Sequence, residues 1–183
     1  HHELYKNVEL YQIAFSYRDI KAECDFLQYV FNQHSCGKKM RKSIEIASGP
    51  ADHSFELSSR NINTSAIDLS ESMIGYINSK NKKQKFVVNS ICDDMRTFRL
   101  KDQYDLAFIM LDSFSYLLTD QDVVNHFNSV ADVLTDDGIY VIEMDHPKNY
   151  FGNNNSSSKD GLDGICWKMK FNTSLLKINW NAT

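Results

Sequence analysis

"SIEIASGPADHSF", residues 43–55, runs from a short β-branched apolar stretch into a helix-compatible one, through a turn holding a single glycine. The reading of this junction decides the fold. Gly49 is that glycine, and Ala47 and Ala51 stand where nucleotide-binding turns often place two more. Three readings compete: a phosphate loop stripped of glycines, a cofactor turn of another kind, or a plain strand–helix junction.

Outward from this stretch, extended and helical patterns alternate. Residues 18–34 carry Ile20, Cys24, Leu27 and Val30–Phe31 at helical spacing. After the 43–47 strand, residues 52–60 suit a short helix and "NTSAIDL" (63–69) returns to strand. "SESMIGYINSK" (70–80) opens on a Ser N-cap with Glu71 in the first turn, which predicts a helix. "KFVVNS" (85–90), "YDLAFIML" (104–111) and "GIYVIEM" (138–144) read as further strands. Before the last of these, residues 119–134 form a capped helix with an apolar stripe through Val123, Val124, Phe127, Val130, Val133 and Leu134.

Near-continuous apolar strands separated by helices imply a parallel sheet covered on both faces. With right-handed crossovers this is an α/β fold, a three-layer doubly wound, mostly parallel sheet. The tail departs from that pattern. "GNNNSSSKDG" (152–161) reads as a loop, and "ICWKMKF" and "LLKINWN" as an antiparallel C-terminal strand pair. One domain over 1–183 is expected: a helical cap (1–40), a cofactor-binding core (41–145), and a loop with antiparallel strands (146–183). Whether the C-terminus is complete stays open.

Bulk properties agree with one ordinary globular domain. The 183 residues are 42% hydrophobic and 24% charged. The net charge of −4 disfavours nonspecific attachment to nucleic acid or anionic lipid, and "KNKKQK" (80–85) reads as a solvated helix end. No apolar run is long enough to span a membrane. Four scattered cysteines lack zinc-ligand spacing, so no metal is expected, and reduced thiols point to the cytoplasm. The leading His-His pair is set aside as resembling a tag remnant. Of the six histidines only His146 is given a role.

In doubly wound sheets ligands collect at the carboxyl ends of the strands, which puts 47–51, 68–70, 93–95 and 111–113 on one rim. Asp68 ends the second strand, where a carboxylate can accept from a ribose diol. A dinucleotide would need a glycine-rich turn to close on its pyrophosphate. A cofactor without phosphate relaxes that demand, which favours S-adenosyl-L-methionine over NAD. Ala51 then belongs in the first turn of the following helix, with helical dihedrals. Asp94 is placed to accept from an adenine amine, and Met95 to offer backbone and thioether contact.

Five segments in order carry a family resemblance: "IEIASGPA" (44–51), "AIDLSESMIGY" (66–76), "DDMRTF" (93–98), "YDLAFIMLDSFSYLLT" (104–119) and "VLTDDGIYVIEM" (133–144). The chain resembles class I S-adenosylmethionine-dependent methyltransferases, in particular the small-molecule group that includes sugar N-methyltransferase-like proteins. The resemblance implies a Rossmann-like methyltransferase fold. It implies that Glu45, Ala47, Ser48 and Gly49 cradle the methionine end while Asp68 holds the ribose. Leu69 and Met73 would pack on the adenine, Asp94 and Met95 frame it, and Leu111 contribute a backbone carbonyl. "LYQIAFSYRD" (10–19) looks like that group's N-terminal cap, with Tyr11 and Arg18 over the cofactor. The alanines at 47 and 51, and "TDDG" (135–138) where "KPGG" is common, depart from the pattern.

Methyl transfer is an in-line displacement from an activated donor, so alignment and exclusion of water matter more than a dedicated base. No catalytic residue is assigned. Asp112, Tyr116 and His146 are the candidates to meet a small-molecule acceptor at an N or O atom. Two alternatives remain: a non-catalytic or regulatory binder of S-adenosylmethionine, and a NAD-dependent oxidoreductase. The acceptor and the oligomeric state are not legible.

Overall fold

The computed structural model describes residues 7–144. In chain order these form α1 (Val8–Ala14), α2 (Ile20–His34), β1 (Lys42–Ile46), α3 (Asp52–Ser59), β2 (Asn63–Asp68), α4 (Glu71–Lys83), β3 (Val88–Cys92), β4 (Tyr104–Ile109), a 3-10 turn (Ser113–Tyr116), α5 (Asp120–Val133) and β5 (Leu134–Ile142). The five strands lie in the order β3-β2-β1-β4-β5, every neighbouring pair parallel. The chain winds outward from β1 in both directions, so the strand order reverses between β1 and β4. The expected three-layer doubly wound sheet is present. The antiparallel pair expected in the tail, and His146, lie outside the described residues.

Strand alternation sorts the core into two faces. Ile44, Ile46, Ala107 and Ile109 pack on one side with Phe127, Val130 and Val133 of α5. Leu106, Phe108 and Met110 pack on the other with Cys24, Leu27 and Phe31 of α2 and Leu57 of α3. The same alternation turns Glu45, between Ile44 and Ile46, toward α3.

The boundaries differ from expectation in three places. β3 begins at Val88 rather than Lys85, because Asn81 brackets Val88, accepting from its amide at 2.9 Å and donating to its carbonyl at 2.8 Å. β5 begins at Leu134 rather than Gly138, so "TDDG" lies inside the strand, at a register irregularity opposite Tyr104 and Leu106. A Cβ at Gly138 would lie 2.9 Å from both the Thr135 carbonyl and the Leu134 side chain, so this bend requires glycine. Val124 leaves the apolar stripe of α5 and is exposed.

The largest difference lies in the opening turn. Ala51 is not helical: it precedes α3 in a left-handed conformation, φ 58° and ψ 40°. Ala47 (φ 53°) and Gly49 (φ 53°) are left-handed as well. The expectation that alanine sits at 51 for its helix propensity is therefore overturned. Both alanines occupy positions that favour glycine, at roughly 1–2 kcal/mol each. Ala51 is fully buried against Phe55, Ala66, Ile77 and Val88, and its methyl contact offsets that strain. Ala47 is only partly buried, so Ala47→Gly is expected to raise unfolding stability by about 1 kcal/mol in urea titrations. A loss of stability would show that its methyl packing outweighs the strain.

Candidate functional site

Each donor in the first turn is bonded inside the fold. The Ser48 amide donates to the Ile67 carbonyl (2.9 Å) and the Ala51 amide to the Ser48 carbonyl (3.0 Å). The Gly49 amide donates to Asp68 Oδ2 at 2.7 Å, and Pro50 has no N–H. A pyrophosphate would find no backbone donor along residues 48–51. This bonding argues against a phosphate cradle along the turn itself.

Glu45, expected to touch a ligand, is committed to structure. Its Oε2 accepts from the Ser54 amide (3.0 Å) and the Ser54 hydroxyl (2.7 Å), capping α3 from inside the sheet. Its Oε1 accepts from His53 Nδ1 at 3.0 Å, and His53 Nε2 donates to Glu23 Oε2 at 2.6 Å. Both ring nitrogens face carboxylates, so the ring carries both protons. Burial alone would depress the His53 pKa, but its bonds to Glu23 and Glu45 outweigh burial and raise it to about 9. Burial would likewise raise Glu23, yet His53 and Arg18 hold it down at about 2.

The chain of charges continues to Arg18. Its Nε donates to both Glu23 oxygens (2.8 and 3.0 Å), and its Nη2 donates to Glu23 Oε2 (2.6 Å) and Glu143 Oε2 (2.9 Å). Its Nη1 is buried with no hydrogen-bond partner among the described residues. An orphaned guanidinium N–H in a buried place costs about 1–3 kcal/mol or more and calls for an acceptor.

Arg18 also lines a cavity of about 210 Å³ at the carboxyl ends of β1 and β4, where the strand order reverses. Ala47, Ser48, Met110 and Leu111 line its floor; Tyr11, Phe15 and Arg18 close it from the N-terminal segment. Tyr11 lies over the turn, its hydroxyl 3.4 Å from where a Cβ on Gly49 would stand. Burial, then Glu45 and Asp68, push the Tyr11 hydroxyl up to about 12, so it remains a neutral donor. Residues 10–19, expected as a cap over a cofactor, thus supply Tyr11, Phe15 and Arg18 to the cavity wall.

Of the other rim loops, Leu111 reaches the lining, while 68–70 and 93–95 lie outside it. Asp68 Oδ1 accepts from the Ser70 amide at 2.8 Å and Oδ2 from Gly49, so the carboxylate braces two turns. Burial raises its pKa against those two bonds. Leu69 is exposed, whereas Met73 is fully buried under the Ser70 cap. Asp94 is gripped by Arg96 through its Nε and Nη2, and the Met95 carbonyl accepts from His126 Nδ1 at 2.8 Å. Asp112 opens the 3-10 turn in a left-handed conformation beside left-handed Leu111, and Tyr116 ends that turn half exposed. Glu23, His53 and Glu143 were not expected from the sequence. Glu143 follows a strand carboxyl end, the rule that marked Asp68; no spacing signal marks His53 or Glu23.

A family model described as "Methyltransferase domain" matches residues 44–138, from β1 into β5. The chain belongs to this methyltransferase family. A curated relative, "Putative methyltransferase YqeM" of Bacillus subtilis, is 31% identical over 102 residues, covering 55% of this chain and 41% of that protein. The match thus spans less than half of that relative's length. Among solved structures, an S-adenosylmethionine-dependent methyltransferase from Clostridium acetobutylicum superposes with TM-score 0.68 at 21% identity, over 88% of this chain and 66% of that one. The sugar N-methyltransferase KedS8 from a Streptoalloteichus species gives 0.62 at 20%, over 74% and 52%. At such identities the likeness establishes the fold.

Within this methyltransferase-family chain, Asp68 braces two turns, and one substitution separates that job from the ribose role expected of it. Asp68→Ala leaves the Gly49 and Ser70 amides without acceptors and is expected to cost about 1–3 kcal/mol of stability. The expected ribose role adds a roughly ten- to hundredfold loss in affinity for an adenosyl ligand. Urea unfolding and titration calorimetry read the two effects. Unchanged affinity in the folded variant would assign Asp68 to turn bracing alone.

Proposed function

We propose that this chain binds S-adenosyl-L-methionine at the β1–β4 crevice and directs methyl transfer to an N or O atom of a small molecule. The observation that carries the reading is the Arg18 guanidinium in the wall of this cavity, its Nη1 without a partner among the described residues. A carboxylate is the acceptor that such a donor fits, and the amino-acid end of this cofactor has one. The bonded turn amides argue against NAD, since a pyrophosphate has no donor to meet there.

When bound, the cofactor would supply a methyl group on a sulfonium, with a neutral thioether as leaving group. Arg18 would hold its carboxylate, and Asp68, with lone pairs beyond its two amide bonds, would accept from the ribose. Tyr11 and Phe15 pack at a 42° tilt, 4.5 Å between ring centroids, and would keep water from the reacting carbon. Asp112 and Tyr116, after β4, are the residues to orient an acceptor.

A small-molecule acceptor is supported by the sugar N-methyltransferase among the structural neighbours and by the net charge of −4, which suits neither nucleic acid nor anionic membrane. No helix among the described residues is long and apolar enough to cross a membrane. A cytoplasmic setting is part of the same reading, from the scattered thiols.

Calorimetry is the direct test. S-Adenosylmethionine or its demethylated product should give saturable heat and NAD none. Saturable NAD binding with silence toward both adenosyl compounds would overturn the proposal.

A further inference from the structure

Glu143 stands where two parts of the site meet. Its Oε2 accepts both from Arg18 Nη2 at 2.9 Å and from the Leu111 amide at 3.0 Å. Its own amide donates to the Ile109 carbonyl at 2.9 Å, which continues the β4–β5 ladder and anchors the backbone from which the carboxylate projects.

Each of the two donors needs such a hold. Leu111 (φ 57°) and Asp112 (φ 54°) are consecutive left-handed residues, and neither is glycine. Such a pair persists only where its surroundings fix it. The guanidinium of Arg18 is planar, so fixing two of its nitrogens fixes the direction of the third. Glu23 takes Nε and Nη2 from one side, and Glu143 takes Nη2 from the other. Glu23 alone thus sets the plane of the guanidinium, and Glu143 joins it to the Leu111 turn.

We infer that Glu143 is the positioning residue for the amino-acid end of the ligand: one carboxylate oxygen ties the Arg18 guanidinium to the Leu111 turn across the same cavity. The inference rests on the proposed S-adenosylmethionine site. Glu143 need not touch the ligand, and its charge is not the operative property. An amide oxygen at the same place can accept from the same two donors.

The test uses three probes on the whole chain: S-adenosylmethionine, S-adenosylhomocysteine, and 5′-methylthioadenosine, which keeps the adenosyl group and lacks the amino-acid end. Glu143→Ala is expected to weaken the first two by about ten- to hundredfold and leave the third unchanged. Glu143→Gln should restore most of the loss. Glu143→Asp, which keeps the charge and withdraws the oxygen, should lose the first two selectively and serves where the alanine variant does not fold. Equal losses for all three probes would mark Glu143 as merely structural and overturn the inference, as would undiminished binding of the first two. Failure of the underlying reading shows separately: the unsubstituted chain would then bind none of the adenosyl probes, or all three alike.

Discussion

Arg18→Met should cost about a hundredfold or more in affinity for S-adenosylmethionine, with about 3 kcal/mol of unfolding stability. Both effects come from one guanidinium that is 6% exposed and has three neighbours to serve. Without it, Glu23 keeps only His53 as a partner, and Glu143 keeps only the Leu111 amide. The stability loss sits at the low end for a broken buried pair, because His53 still faces Glu23 and Glu143 is 34% exposed. The affinity loss is larger, because the guanidinium in the cavity wall has gone and no other arginine or lysine among the described residues lines that cavity. Arg18→Lys separates the two. A lysine ammonium can meet one carboxylate but lacks the planar fork, so it should recover stability and leave affinity low. If Arg18→Lys binds as well as the parent, the site reads charge alone and the orphaned Nη1 is incidental.

Stability should peak near pH 6.5 and fall on both sides, by about 3 kcal/mol on each flank. The alkaline flank belongs to His53. Its folded pKa of about 9 lies above the ordinary histidine value of 6.5. The folded state therefore holds a proton that the unfolded chain has released, and stability declines as pH rises from 6.5 to 9. The acid flank belongs to His126. Its Nδ1 donates to the Met95 carbonyl at 2.8 Å and its Nε2 accepts from the Tyr140 hydroxyl at 2.6 Å, so the ring is neutral. Burial lowers its pKa to about 4, against a smaller opposing effect of the Met95 carbonyl. Here the unfolded chain takes up the proton first, and stability falls as pH drops from 6.5 to 4. Urea unfolding from pH 5 to 9 tests both, with His53→Gln expected to flatten only the alkaline flank. An alkaline flank that survives in His53→Gln would place the titrating group elsewhere.

Residues that carry fold information in short patterns were legible. Ser70 and Thr119 cap their helices as their types predict, accepting from Met73 and Asp122 amides. The apolar runs around Ile44, Ile67 and Phe108 became central strands. What the sequence concealed is contact between distant segments. Glu23, Glu45, His53 and Glu143 converge on Arg18 or on one another only once α2, β1, α3 and β5 have packed, and nothing local distinguishes Glu23 and His53 from surface residues. Ala51 was misread for a different reason. Propensity places alanine inside a helix, while tertiary packing against Phe55 and Ala66 holds it just before one, in a conformation that propensity alone disfavours. Met73 illustrates the same limit: helical spacing gives its face, and depth alone decides between core and ligand.

The bonded amides of the first turn bear on how a ligand is received. A turn whose donors are satisfied before any guest arrives has little to reorganise, and its ordering belongs to folding. The opposite wall of the cavity is α1, a helix of seven residues, a length that does not persist in water without packing. It is held through Tyr11 over the turn, Gln12 accepting from the Tyr76 hydroxyl at 3.1 Å, and Arg18 farther along. Occupancy and helix formation are thereby linked: each ligand molecule that engages Tyr11 and Arg18 favours the folded cap, and any weakening of the cap divides the observed affinity by the fraction of molecules in which it is formed. Substitutions on the far side of α1, remote from every ligand atom, thus enter the dissociation constant as population factors.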